Sequence, residues 1–212
     1  MRDNFRKRYY NLFSLVYDFI IRVHSRDPEG HLRKCLVERA EVIPGENVLD
    51  VCTGTGSVAI EFSKKVGNRG TVVGVDFSRG MLVKAKGKAI KAGLHNLYLI
   101  EAKAGELPFK DNQFRVVTLA YALYELKTEE RKKAIAEMGR VMREGGRVLV
   151  MEHEVPKHFL LRILFYIRMY TMGSRGAKFF LRNELAPFQG RFQQVTKEVI
   201  PGGRSKIIRG GG

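Results

Sequence analysis

Apolar and polar positions follow two rhythms along this chain. Residues 9–24 and 28–42 repeat apolar side chains at mixed three- and four-residue spacing, which predicts two helices. Pro28 fits a helix start, and Pro44-Gly45 closes the second helix. From Asn47 onward the pattern changes to short, nearly continuous apolar runs. Asn47–Val51, Thr71–Asp76, Asn96–Glu101, Phe114–Ala120 and Arg147–Met151 read as strands. Between them, Ser57–Val66 reads as a helix, and Ser78 is placed to cap a second one that Gly93 ends. Thr128, with Glu129 and Glu130, opens a third helix whose inner face is Ile135, Met138 and Met142, and Gly145-Gly146 is expected to end it. The order β-α-β-α-β-β-α-β is that of a parallel sheet covered by helices. After a helical section at 157–190, Phe192–Ile200, the turn Pro201-Gly202-Gly203 and Arg204–Arg209 predict an antiparallel hairpin. The expected fold is α/β: seven strands, mostly parallel, with helices on both faces and a C-terminal antiparallel hairpin.

Composition narrows the setting. At 212 residues the chain suits one domain with its own core, and 44% hydrophobic with 28% charged residues marks it as globular. Lys and Arg outnumber Asp and Glu by 38 to 22, a net charge of +16 that attracts nucleic acid, anionic membrane or acidic ligands without choosing among them. The two cysteines, Cys35 and Cys52, form neither a metal framework nor a disulfide scaffold, so no metal is expected and a reducing, cytoplasmic compartment fits. Arg2, Arg6, Lys7 and Arg8 before the apolar stretch Leu12–Ile21 imitate a signal peptide, but Asp18 interrupts the stretch and no small-residue cleavage site follows.

The chemistry concentrates in VLDVCTGTGSVAIEF at 48–62, an apolar run, an acid, a Gly-x-Gly turn and a helix. No phosphate-cradling Gly-x4-Gly-Lys-Ser/Thr is present. Residues 54–59 match Gly-x-Gly-x-x-Ala, and Asp76 lies where an acid takes ribose hydroxyls. Yet Asp50 stands just before the turn, where a carboxylate repels pyrophosphate and attracts an ammonium. An acid, a glycine turn and a second acid on the next strand suit a nucleoside carrying an amino acid, which describes S-adenosyl-L-methionine.

Four segments carry a resemblance in order and spacing: VLDVCTGTG at 48–56, VVGVDFSRGML at 72–82, ELPFKDNQF at 106–114 and AIAEMGRVMREGGRVLVMEH at 134–153. With them the chain resembles the class I, Rossmann-like S-adenosylmethionine-dependent methyltransferases, most of all the ubiquinone/menaquinone biosynthesis C-methyltransferase (UbiE-like) family. The resemblance implies one methyltransferase domain: an N-terminal helical lid at 1–45, a cofactor-binding core at 46–153, a substrate-lid insertion at 154–190 and the hairpin at 191–212. It further implies that Asp50, Thr53, Gly54, Thr55 and Gly56 hold the methionine part of the cofactor. Asp76 would bind the ribose, Phe77 and Met81 would flank adenine, and Ala104, Gly105 and Glu106 would close over it. Leu119, Ala120 and Tyr121 follow the fourth strand, where cofactor and acceptor would meet, and Tyr17 and Tyr10 would cover the cofactor from the lid or simply pack in the core. The chain departs from the family pattern at Lys103, at Gly105, and at Tyr121–Glu125, where quinone members carry Gly-Leu-Arg-Asn.

On the acceptor side, Tyr124, Glu125 and His153 are the candidate catalytic residues, with Glu152 beside them; for His153 a hydrogen-bonded structural role is the favoured reading and a general base the alternative. Cys52 reads as a small buried residue, and Lys84, Lys86, Lys88 and Lys91 as a solvated helix face. Residues 157–182, KHFLLRILFYIRMYTMGSRGAKFFLR, are apolar, aromatic and basic at once. That composition suits a cover over a lipophilic acceptor and peripheral contact with an anionic membrane surface. Three readings follow: methyl transfer to a small lipophilic acceptor (a quinone precursor or phospholipid amine), with S-adenosyl-L-homocysteine as product; methyl transfer to RNA; and S-adenosylmethionine binding without transfer.

Overall fold

The computed structural model describes residues 30–156, 158–171, 181, 183–202 and 205–212. The helix expected at 9–24, with Tyr10, Tyr17 and Pro28, lies outside them, as do Gly203 and Arg204 of the hairpin turn. Seven strands form one sheet in the order β3-β2-β1-β4-β5-β7-β6. They are β1 (Asn47–Val51), β2 (Thr71–Asp76), β3 (Leu97–Glu101), β4 (Phe114–Ala120), β5 (Met142–His153), β6 (Gln194–Val199) and β7 (Ser205–Gly211). The helices are α1 (His31–Arg39), α2 (Ser57–Val66), α3 (Arg79–Lys91), α4 (Thr128–Val141), α5 (Phe159–Thr171) and α6 (Ala186–Gln189). The seven-stranded, mostly parallel α/β fold is as expected. The chain divides into two compact units after Ala104.

In the first unit, β1 pairs with β2 and β2 with β3, all parallel, Asp50 standing opposite Gly74 and Asp76 opposite Glu101. Strands β1 and β2 are buried along nearly their whole length, which explains their nearly continuous apolar runs, whereas the edge strand β3 has no fully buried residue. Helix α2 buries Val58, Ala59, Ile60, Phe62 and Val66. Its last carbonyls find a donor in Asn96, whose amide nitrogen bonds Ser63 O at 3.1 Å and Gly67 O at 2.9 Å. The expected cap of α3 is formed: Ser78 Oγ accepts from Met81 N–H at 3.4 Å.

In the second unit, β4 and β5 run parallel, β5 and β7 antiparallel, and β7 and β6 antiparallel. One expectation fails here. Helix α4 ends at Val141, before Gly145-Gly146, and the chain enters β5 at Met142, so Met142 is a buried strand residue paired with Phe114. The two glycines shape the strand itself: a Cβ on Gly146 would stand 2.7 Å from Arg143 O. Likewise, the helix expected over 28–42 is described only as His31–Arg39.

Phe192 locks the hairpin to the rest of this unit. It is buried, stacks with Phe188 at 6.3 Å, and fills the space that Gly210 leaves on β7, where a Cβ would come within 2.6 Å of its ring. We expect Gly210→Ala to cost about 1–3 kcal/mol by overpacking. Gly190→Ala, at an ordinary αR position with nothing closer than 3.8 Å, is expected to stay within about 0.5 kcal/mol of the parent. Urea unfolding followed by circular dichroism measures both; equal stabilities for the two variants would contradict this packing.

Candidate active site

The first unit carries a tight loop from the end of β1 into α2. Cys52, Gly54 and Gly56 all adopt positive φ, at 57°, 54° and 77°. Glycine takes that conformation freely, but Cys52 is a strained exception, half-buried where the sequence suggested a buried core residue. At Gly56 space is also decisive, since a Cβ there would stand 2.8 Å from Ala85 Cβ on α3. Inside the loop, Thr53 Oγ1 donates to Asp50 Oδ2 at 2.6 Å, Gly56 N–H to Thr53 O at 2.9 Å, and Thr53 N–H to Val75 O at 2.9 Å.

Asp76, the last residue of β2, joins this loop to the next helix. Its Oδ2 accepts Gly54 N–H at 2.9 Å and its Oδ1 accepts Ser78 N–H at 2.8 Å. Burial pushes its carboxyl above the ordinary aspartate value, while the N–H donors of Ser78, Gly54 and Phe77 oppose the shift. Asp50 and Asp76 are both buried, so each is a desolvated acceptor suited to a hydroxyl or ammonium donor. Met81 is buried next to this turn and Phe77 half-buried. Lys88 is not part of a solvated face: its Nζ reaches Thr55 Oγ1 at 2.8 Å and Ser57 Oγ at 3.5 Å. Ala104 is half-buried.

The second unit opens with Gly105, half-buried, and Glu106, exposed. The segment after them is pinned by α4. Glu137 Oε2 accepts Leu107 N–H at 2.8 Å, and Arg140 donates to Leu107 O at 3.1 Å, Phe109 O at 2.7 Å and Asp111 Oδ1 at 2.7 Å. The hydrogen bond from Arg140 holds the Glu137 carboxyl below the usual range.

Past β4, Leu119 is fully buried and Tyr121 takes φ 56°, a second strained residue at a strand end. The turn Leu123–Glu125 is tied down by two buried side chains. Glu152 Oε1 accepts Leu123 N–H at 2.6 Å and Tyr124 N–H at 3.3 Å, and Arg131 donates to Leu123 O at 3.0 Å and Leu126 O at 2.8 Å. Complete burial pushes the Glu152 carboxyl up to about 8. Glu125 lies half-exposed on this turn.

Tyr124 and His153 have different surroundings. The Tyr124 hydroxyl is buried and donates to Glu184 Oε2 at 3.0 Å; burial and the carboxylates of Glu152 and Glu184 push its phenol well above the ordinary tyrosine value. Glu184 also meets Lys206 at 2.6 Å and Lys197 at 2.7 Å, and both lysines lie 3.5 Å from Glu154. Although burial opposes ionisation of Glu184, the two lysines outweigh it and hold its carboxyl below the ordinary value. His153 is half-buried against the Tyr121 ring, with centroids 4.7 Å apart.

Glu184, Ser205 and Lys206 were not singled out by the sequence. Lys206 is only 1% exposed, and Ser-Lys-Ile-Ile-Arg in a tail hairpin gives no sign of a buried lysine. The reason lies in tertiary structure: β7 is an interior strand between β5 and β6, and Lys206 is buried against Glu184 and the Tyr124 ring.

Residues 4–186 match the model of the ubiE/COQ5 methyltransferase family. Two similar relatives are the ubiquinone/menaquinone biosynthesis C-methyltransferase UbiE of Shewanella frigidimarina (35% identical, covering 70% of this chain and 59% of the relative) and the demethylmenaquinone methyltransferase of Oceanobacillus iheyensis (36%, 74% and 64%). The chain thus spans about three fifths of the length of these curated relatives. A SAM-dependent methyltransferase from Aquifex aeolicus shares the fold at a TM-score of 0.65 and 19% identity, with 84% of this chain and 88% of that one covered.

The raised Glu152 carboxyl makes a signed prediction. Its proton is bound more tightly in the folded chain than in the unfolded one, so the stability it contributes is full below pH 4.5 and is lost as pH rises through about 8. Between pH 6 and 9 the parent should lose roughly 1–3 kcal/mol more than Glu152→Gln, which keeps an acceptor for both N–H groups but cannot ionise. Denaturant unfolding at the two pH values measures the difference; identical pH slopes would contradict it.

Proposed function

The chain belongs to the ubiE/COQ5 methyltransferase family, and from that premise we propose that it transfers the methyl group of S-adenosyl-L-methionine to a carbon of a lipophilic quinone precursor. The observation that carries this reading is the buried Asp76 carboxyl, held by the Gly54 and Ser78 N–H groups beside the glycine loop. A second carboxyl, Asp50, lies in the same loop, and the residue set fits a ligand with ribose hydroxyls and an ammonium. Asp50, Thr53, Gly54, Thr55 and Gly56 would hold the amino-acid part and Asp76 the ribose. In the first unit Phe77, Met81 and Ala104 would hold adenine; Leu119 and Tyr121, in the second, are assigned to the acceptor. When bound, the cofactor supplies an already activated methyl group, so the work of the chain is alignment and proton removal.

Tyr121 and His153 are the residues we assign to the acceptor, with Glu125 on the adjoining turn. Tyr124 holds that turn through Glu184. The names of the relatives, which specify C-methylation and demethylmenaquinone, favour a quinone precursor over RNA or a phospholipid amine. Helix α5 supports a lipophilic acceptor met at a membrane surface. Phe159, Leu160, Ile163, Leu164 and Ile167 share one face of it and are 42–62% exposed, an apolar patch that soluble surfaces seldom leave bare. Arg162 is exposed at its flank, and positions 155–183 contain no Asp or Glu, which complements anionic lipid. Among the described residues, no helix is long and apolar enough to cross a membrane.

The test is transfer of labelled methyl to a short-chain demethylmenaquinol. We expect label in the organic phase, in a product one methyl heavier than the acceptor. Label confined to a ribonuclease-sensitive aqueous fraction from cell extract would overturn the reading in favour of RNA. Cofactor binding with no transfer to either would leave only the binding role.

A further inference from the structure

The C-terminal strand places a hydroxyl behind the proposed acceptor residues. Ser205, the first residue of β7, is the cross-strand partner of His153 at the end of β5. Its side chain is buried, and its Oγ lies 2.9 Å from the Tyr121 hydroxyl. The Tyr121 ring in turn lies against the His153 ring, tilted by 36°. Three elements that are distant in sequence therefore meet in one chain of contacts, from serine to tyrosine to histidine.

Tyr121 needs that support. A bulky side chain at φ 56° is strained and persists only where the surroundings fix it. Two contacts do so: its N–H donates to Met151 O at 2.8 Å, and its hydroxyl is tied to Ser205. The first holds the backbone and the second holds the far end of the ring. With both ends fixed, the ring is a rigid plate that sets the plane of the adjacent imidazole. Simple packing would be served as well by phenylalanine facing a small apolar residue. A buried hydroxyl pair instead carries a desolvation cost that its own hydrogen bond must offset.

We propose that Ser205 is a positioning residue for methyl transfer, acting through Tyr121 to orient the His153 imidazole as the group that accepts the acceptor's proton. This rests on the acceptor reading above. The ring carbon that gains the methyl would form a C–C bond as the S–CH3 bond breaks and leaves its electron pair on sulfur, giving S-adenosyl-L-homocysteine; the same carbon loses its hydrogen as a proton. The electron pair of the broken C–H bond returns to the ring, and a neutral His153 nitrogen takes the proton.

The test compares Ser205→Ala, Ser205→Thr and Tyr121→Phe on a short-chain demethylmenaquinol carrying hydrogen or deuterium at the reacting carbon. Ser205→Ala should lower kcat roughly ten- to a hundredfold with the KM for S-adenosylmethionine unchanged, and Ser205→Thr should restore most of it. The deuterium isotope effect on kcat should rise in Ser205→Ala, because proton removal becomes slower relative to the other steps. Tyr121→Phe, which keeps the ring but loses the hydroxyl, should match Ser205→Ala, and the double variant should be no worse than either single one. Should Ser205→Ala fail to fold, Tyr121→Phe carries the same comparison. A parent-like kcat and isotope effect in Ser205→Ala or Tyr121→Phe, or fully additive losses, would overturn the inference while leaving methyl transfer by the parent intact. No transfer by the parent enzyme would instead remove the reading on which it rests.

Discussion

The Asp76 carboxyl spans three pieces of backbone that would otherwise be independent. It ends β2, receives the Gly54 N–H from the loop after β1, and receives the Ser78 N–H that begins the turn into α3. Water is excluded from it, so each of those N–H groups depends on the carboxyl and the carboxyl on them. The loop conformation follows from this. With Gly54 drawn toward β2, the chain takes left-handed residues at alternate positions, Cys52, Gly54 and Gly56, and Gly56 sits close enough to α3 that Ala85 leaves no room for a Cβ. Sequence identity at four places, Asp76, Gly54, Gly56 and Ala85, is thereby set by a single arrangement of one carboxylate and two amides.

The second unit repeats the device with other residues. Glu152, near the end of β5, collects the N–H groups of Leu123 and Tyr124 from the turn after β4. Arg131 collects the carbonyls of the same turn, so its backbone is satisfied from both sides. In each unit a buried acid at a strand end disciplines the loop beyond the neighbouring strand. The difference is in how the donors are shared. Asp76 accepts Gly54 N–H on one oxygen and Ser78 N–H on the other, whereas Glu152 receives both of its turn donors on one oxygen; burial raises both carboxyls, Glu152 to about 8. The first acid suits a ligand that brings donors. The second suits a structural role in keeping the turn after β4 in place, with Tyr124, Glu184 and Lys206 forming a buried, charge-balanced brace behind it.

Much of this was legible in the sequence, and the exceptions have physical causes. Strands β1, β2 and β4 read correctly because burial on both faces imposes nearly continuous apolar runs, and the loop read correctly because glycine at positive φ is a backbone requirement written directly in residue type. The start of β5 did not, since Gly145-Gly146 mark a helix end as readily as the kinked entry to a strand. Lys88 resembled its neighbours on a charged helix face, and only tertiary packing brings it to Thr55. Ser205 and Lys206 were invisible because a terminal hairpin reads as an exposed edge, while strand order makes β7 an interior strand. The family's Gly-Leu-Arg-Asn is absent after β4, and the structure puts a strained tyrosine and a buried Tyr124 there instead.

The central claim is that one carboxyl organises the cofactor loop and also recognises the cofactor. Asp76→Asn tests it most directly, because the amide nitrogen cannot accept the second N–H while size is preserved. Calorimetric titration with S-adenosyl-L-homocysteine should show binding weakened roughly ten- to a hundredfold, as expected when a buried N–H loses its acceptor at a cost of about 1–3 kcal/mol. An unchanged Kd in a folded variant would contradict the account.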